Sequence, residues 1–246
     1  MKTHPMLFSE PMALAIQERR KTQTRRALSP QPSGDCRGFQ KVFAEPPFFE
    51  ALDARGRPIH AFTGRKGCAS PYPPIAIAPG DLCWVREPWR AEAHNDNLPP
   101  RDLDPESCRA LYLSDKRWSE TPCGHTVAGR YRHARFMPRR FSRATLEITD
   151  VRVQRLWDIS IDDVIEEGID LEDGEGARLF SLAEQTVLLG GSNRCRYPEI
   201  YPYVCLWEDI NGRGAWDANP WIVAYTFDVH LKNIDALLQE RIASNE

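Results

Sequence analysis

Lys21-Thr22-Gln23-Thr24-Arg25-Arg26 crowds three cations and two hydroxyls into six residues, directly after a short apolar stretch. That stretch, Pro11 to Arg20, carries Met12, Leu14, Ala15 and Ile16, with Ser9 as N-cap and Pro11 in the first turn, where a missing N–H costs nothing. It predicts a helix with one face on a core. Cations at a helix exit offset its partial negative charge, so a plain reading of Arg19, Arg20 and Lys21 is that they are dipole partners only.

Patterns further along the chain weaken the plain reading. Gly80-Asp81-Leu82-Cys83-Trp84-Val85-Arg86-Glu87 predicts a turn feeding a strand, with Leu82, Trp84 and Arg86 on one face and Cys83, Val85 and Glu87 on the other. Ala144 to Val153 alternates Leu146 and Ile148 against Thr145, Glu147 and Thr149, a strand with a bulge expected near Asp150. Between Ile159 and Ile169, Ser160 and Asp163 have capping-box spacing and Gly168 suits a C-terminal stop, which predicts a short helix ending in acids. Trp221 to Val229 is rich in β-branched and aromatic residues and follows the turn-forming Asn219-Pro220.

In this order, a helix with Lys-Thr-x-Thr-x-Arg, a Gly-Asp strand, a long strand, a capped helix ending Glu-Gly and a terminal strand, the chain resembles the ASCH domain family of PUA-like proteins. It is most similar to the large phage and prophage members. The matched pieces are Lys21 to Arg26, Gly80-Asp81 with Trp84-Val85-Arg86-Glu87, Met137-Pro138-Arg139 with Ser142-Arg143, and Leu206-Trp207 with Ile210-Asn211-Gly212. The resemblance implies an α+β fold, a PUA-like small mixed β-barrel with flanking helices and long loop insertions. The family usually has Gly just before the lysine, where Arg20 stands here; a positive φ at that position would cost Arg20 on the order of 1 kcal/mol.

The resemblance also implies chemistry. Small bacterial members hydrolyse N4-acetylcytidine with the motif lysine, the second motif threonine and a glutamate of the short helix, which correspond to Lys21, Thr24 and Glu167. Lys21 and Thr24, three apart, share a face in a helix or turn but not in an extended strand. Desolvation and the neighbouring Arg25 and Arg26 would bring a lysine down from its ordinary pKa near about 10.4 toward use as a base. Thr24 would be nucleophile or water-orienting group, and Glu167 would hold the lysine or shuttle a proton to the leaving amine. Arg25, Arg26, Trp84, Arg86 and Glu87 form the expected substrate-contacting set. Each has a plainer reading: Lys21 as a solvated helix-end cation, Thr24 as a local turn contact, and Glu167 as one exposed acid in the run from Asp158 to Glu175.

Composition sets outer limits. The chain has 246 residues, of which 41% are hydrophobic, enough for a sizeable core, and the simplest organisation is a single elaborated domain over 1–246. No apolar run reaches the roughly 18 residues of a membrane span and no signal-peptide pattern is visible, so a cytoplasmic protein without membrane partners is expected. Seven cysteines without a Cys-x-x-Cys pair fit a reducing compartment. Cys108, Cys123 and His125, with Cys195 as a fourth ligand, lack the short paired spacing of structural zinc sites, and neither metal nor other cofactor is expected. The Walker, Rossmann, His-Glu-x-x-His and Gly-x-Ser-x-Gly patterns are all missing.

Three insertions account for the length: 27–79, 94–130 and 171–201. The first holds nine of the 20 prolines, and its Phe39, Val42, Phe43, Phe48 and Phe49 need burial, which predicts an ordered excursion or subdomain. The second reads as polar and loop-like, and the third includes an amphipathic helix near Arg178 to Leu189. A last helix is expected between Leu231 and Ala243.

The net charge of −3 is too balanced for a generic polyanion binder. Locally, however, Arg130, Arg132, His133, Arg135, Arg139, Arg140 and Arg143 form a basic stretch that, with Tyr131 and Phe136, suits phosphate tracking and base stacking. Arg130, Arg132, Arg135, Arg139 and Arg143 are the nucleic-acid candidates; the plain reading is that the stretch pairs with acids or stays solvated. Three functions remain open: a hydrolase of N4-acylated or otherwise modified cytosine nucleosides, an RNA or modified-base binder, including a ribonuclease, and a phage accessory or assembly protein. The expected partner is a modified nucleoside or RNA.

Overall fold

A computed structural model describes residues 1–42, 48–63, 69–70, 73, 75–115, 127–188 and 197–244. In chain order these form β1 (Thr3–Leu7), α1 (Glu10–Gln17), β2 (Gln23–Ala27), β3 (Gly38–Val42), β4 (Phe48–Leu52), β5 (Phe62–Thr63), β6 (Ala69–Ser70), β7 (Leu82–Arg86), β8 (Trp89–Glu92), β9 (Leu111–Tyr112), β10 (Ala128–Arg132), β11 (Thr145–Arg155), α2 (Ile161–Glu166), α3 (Gly174–Leu188), α4 (Tyr201–Asn211), β12 (Trp221–His230) and α5 (Ile234–Ala243). The class is mixed α+β. The chain gathers into two compact units, one of 1–20, 79–148 and 227–246, the other of 21–78 and 149–226. Among the described residues no helix is long and apolar enough to cross a membrane.

In the first unit β1 runs parallel to β7, from Thr3 opposite Leu82 to Leu7 opposite Arg86, and β11 begins antiparallel to β7 with Thr145 opposite Trp84. Leu82 and Trp84 on one face and Cys83 and Val85 on the other are all buried, so both faces of β7 are covered. Leu82 and Trp84 pack against Ile234 and Leu237 of α5, the expected terminal helix, which starts at the N-cap Asn233. A second core joins Trp89 and Ala91 to Leu103, Cys108, Met137 and Phe141 under the sheet β10-β8-β9, so much of the segment expected to be loop-like is packed. Burial, with the Asp81 charge adding to it, pushes the Cys83 thiol up to about 12. Cys83 is therefore expected to resist iodoacetamide near neutral pH in the native protein and to react on unfolding, as peptide mapping would read.

α1 ends earlier than its apolar pattern suggested. Arg19, not Arg20, takes the left-handed conformation, with φ 59°, and the chain leaves the helix extended. The expected glycine-like position thus lies one residue upstream, and the local strain falls on Arg19.

In the second unit β2 pairs antiparallel with β12, Gln23 opposite Thr226 and Ala27 opposite Ile222, and β11 lies on the other side of β12. The long strand is one element through Asp150. The proline-rich segment forms two hairpins, β3-β4 and β5-β6, and its Phe39 meets Trp221 edge-on with ring centroids 4.8 Å apart. Phe43 lies outside the described residues. Leu156, Ile159 and Val164 pack with Tyr203 and Trp207 of α4 and with Ile222 and Ala224 of β12. This core fixes α2 beside β2.

Candidate functional site

The capping box at the start of α2 forms as its spacing predicted: Ser160 Oγ accepts from the Asp163 N–H at 3.1 Å and Asp163 Oδ2 from the Ser160 N–H at 2.9 Å. Asp163 does more than cap. Its Oδ1 accepts from Gln23 Nε2 at 3.1 Å and from an Arg152 terminal nitrogen at 3.0 Å, and an Arg25 terminal nitrogen lies 2.8 Å from Oδ2.

At the other end of α2 the last carbonyls need partners. The Thr22 N–H donates to the Glu166 carbonyl at 2.8 Å, and Lys21 Nζ donates to the Glu167 carbonyl at 2.8 Å. Lys21 and Glu167 face each other in an isolated antiparallel bridge, and Gly168, with φ 90°, turns the chain away. The same ammonium reaches Glu167 Oε2 at 2.5 Å, while Oε1 lies 3.4 Å from an Arg25 nitrogen. Gln23 Nε2 also donates to Glu166 at 2.6 Å.

In extended backbone alternate residues share a side, and Lys21, Gln23 and Arg25 all bond to acids at the two ends of α2. Thr24 belongs to the intervening positions. It is buried, opposite Tyr225 in the ladder, and its hydroxyl is not among the bonds that hold Lys21 and Glu167. The backbone has thus taken the extended alternative, in which Lys21 and Thr24 are not on one face. Arg26 is half-buried within the electrostatic reach of Glu167, Tyr203 and Tyr225.

Lys21 is 0% exposed and Glu167 3%. Burial pushes the Lys21 ammonium below its ordinary value against the pull of Glu167, with Arg26 and Arg25 adding to the fall. Burial likewise lowers Arg26, and it raises the Tyr203 phenol, where the Glu167 charge adds to the effect. Burial opposes ionisation of Asp163 too, but the Ser160 N–H, Arg25 and Arg152 outweigh it and hold this carboxyl well below the usual carboxylate range.

A depressed folded pKa makes Asp163 stabilising above its ordinary value near 3.8, and that contribution is lost as pH falls through the folded value. Asp163→Asn is therefore expected to be less stable than the parent at neutral pH, with the gap closing below about pH 4. Urea unfolding across this range reads it; a gap that stays constant into strong acid would show that the carboxyl is not held down.

The remaining expected contacts lie in the first unit. Trp84 is buried under Arg86, whose guanidinium carbon is 4.8 Å from the ring centroid and whose Nε and a terminal nitrogen donate to the Met137 carbonyl at 3.1 and 3.0 Å. Glu87 is buried, accepting from the Ser114 hydroxyl and from Arg143 Nε at 2.9 Å. Of the nucleic-acid candidates, Arg132 donates to the Leu98 and Asn95 carbonyls, Arg139 to Asp235 and Thr3, and Arg143 to Glu87 and Ser114. Arg130 and Arg135 are exposed.

Sequence reading missed Gln23 and Tyr203 as members of the buried cluster and the half-exposed Arg152 at its edge, and it saw Asp163 only as a cap. The period-two spacing of Lys21, Gln23 and Arg25 was the available signal. Cys123, His125 and Cys195 lie outside the described residues, and among the described residues no group of three or more His, Cys, Asp or Glu side chains is placed to hold a metal ion. Compared with family models, curated proteins and solved structures, the chain finds no match in any of the three.

Proposed function

We propose that this chain is a hydrolase of the ASCH type, in a PUA-like framework, that removes the acyl group from an N4-acylated or similarly modified cytosine nucleoside. The observation that carries the reading is a buried lysine with a lowered pKa whose Nζ is 2.5 Å from a buried carboxylate oxygen. The proton of Lys21 passes to Glu167 across that bond, and the neutral amine takes a proton from an attacking water. The water oxygen bonds to the acyl carbon, the C–N4 bond breaks, and N4 leaves with a proton returned from the pair, giving a carboxylic acid and the unmodified nucleoside. Arg25, between the carboxylates of Glu167 and Asp163, keeps Glu167 oriented. Thr24, buried on the other side of the strand from Lys21, takes no step in this scheme. Because Lys21 is sealed from solvent, substrate reaches it when the end of α2 parts from the start of β2.

The test is acetate release from N4-acetylcytidine by the wild type and by Lys21→Met, with the nucleoside followed by chromatography. Turnover lost in a folded variant supports the reading; a folded wild type that releases no acetate overturns it.

A further inference from the structure

Two exposed surfaces of opposite charge take no part in the proposed chemistry, one on and after β10 and the other on the solvent side of α2. On β10, Ala128 pairs with Glu92 and Tyr131 with Arg90, so β10 advances three residues where β8 advances two. This bulge breaks alternation and leaves Arg130 and Tyr131 both facing solvent. The turn that follows buries Ala134 and Met137 and exposes His133, Arg135 and Phe136. Tyr131 is 51% exposed and Phe136 58%, and residues 130–136 contain no acid.

Around α2 the pattern is reversed. Trp157, Ile161 and Ile165 are 53%, 44% and 50% exposed, four residues apart, and each is followed at once by an acid: Asp158, Asp162 and Glu166. No Lys or Arg occurs between Arg155 and Arg178. Ile161 and Ile165 share one side of the helix, while Val164 on the other side is buried in the core. Large apolar side chains left in water beside a run of one charge mark an interaction surface.

We propose that the partner of each stretch is the other one, on a second copy of this chain. The arginines meet acids, and the exposed aromatics cover exposed aliphatic and indole surface, with Arg over Trp157 adding a cation–π contact. The two surfaces differ, so the contact is head-to-tail and builds a ring or an open chain of copies rather than a two-fold dimer.

Sedimentation velocity of the whole chain at low and high salt tests this, with Arg135→Glu and Asp162→Lys, both at exposed positions. The wild type should associate with concentration, at least about tenfold more weakly at high salt. Each variant alone should be monomeric, because it sets like charges against each other. An equimolar mixture of the two should associate again, since the carboxylate introduced into one variant then meets the ammonium introduced into the other, and the untouched surfaces also match. A wild type that stays monomeric, or a mixture that fails to recover, overturns the proposal. If the wild type is monomeric and Arg135→Glu abolishes binding of a fluorescent single-stranded oligonucleotide, the basic stretch serves nucleic acid instead.

Discussion

Glu167→Ala is expected to lower the free energy of unfolding by about 3–5 kcal/mol, because it leaves a fully buried ammonium without its carboxylate. Lys21 would keep only the backbone carbonyl at position 167, and Arg25 would lose its 3.4 Å neighbour while keeping Asp163. For a chain of this size the loss corresponds to a fall of roughly 10 °C in melting temperature. Removing both charges is a different matter: Lys21→Met with Glu167→Leu replaces two desolvated ions by apolar groups of similar volume, and such replacements are often neutral or stabilising. The double variant should therefore recover most of the loss. A Glu167→Ala protein within about 1 kcal/mol of wild type, measured by urea unfolding, would mean that the pair is not sealed from water.

Lys21→Met should reduce acetate release from N4-acetylcytidine by about 10²- to 10⁴-fold, the usual contribution of a general base. The side chain keeps its length and loses the proton-accepting nitrogen. Some stability is lost as well, since Glu167 loses its 2.5 Å partner and keeps the longer Arg25 contact at 3.4 Å and the charge of Arg26, so activity has to be compared at a temperature where both proteins are folded. Lys21→Met with Glu167→Gln provides the control, because it carries no unpaired charge at these two positions and should be equally inactive. If either variant turns over like the wild type, Lys21 does not act as the base. Thr24→Val separates the remaining question. Its hydroxyl lies outside the Lys21–Glu167 bonds and on the other side of the strand, so this substitution should leave the buried pair, the fold and turnover unchanged; a loss of turnover would put Thr24 within reach of the substrate.

The two ends of α2 show how far local sequence reaches. Ser160 and Asp163 are three residues apart, and both capping bonds formed where that spacing placed them. Gly168 took the positive φ that ends the helix. Trp221–His230 and Ile234–Ala243 likewise followed from β-branched runs and apolar spacing. The caps and the glycine stop depend on neighbours along the chain, so the sequence contains their whole cause; the strand shows its pattern locally but is held between β11 and β2.

The site is another matter. That Lys21 meets Glu167, 146 residues away, and that Gln23 and Arg25 turn toward the acids of α2, depends on β2 pairing with β12 while α2 is held by the core around Val164, Tyr203 and Ile222. The order of the segments suggested the pair only through a family likeness. Whether Lys21 and Thr24 share a face was open in the sequence, and tertiary pairing decided it by drawing the segment out as a strand. The buried state of the lysine was also beyond the sequence, since a run of cations after a helix reads as solvated until long-range packing closes over it. Desolvation depends on every atom brought near a charge, and it is this that moves the Lys21 pKa. By itself, then, the sequence determined caps, turns and the chemical types available; the tertiary structure alone decided which charges lost their water and which partners replaced it.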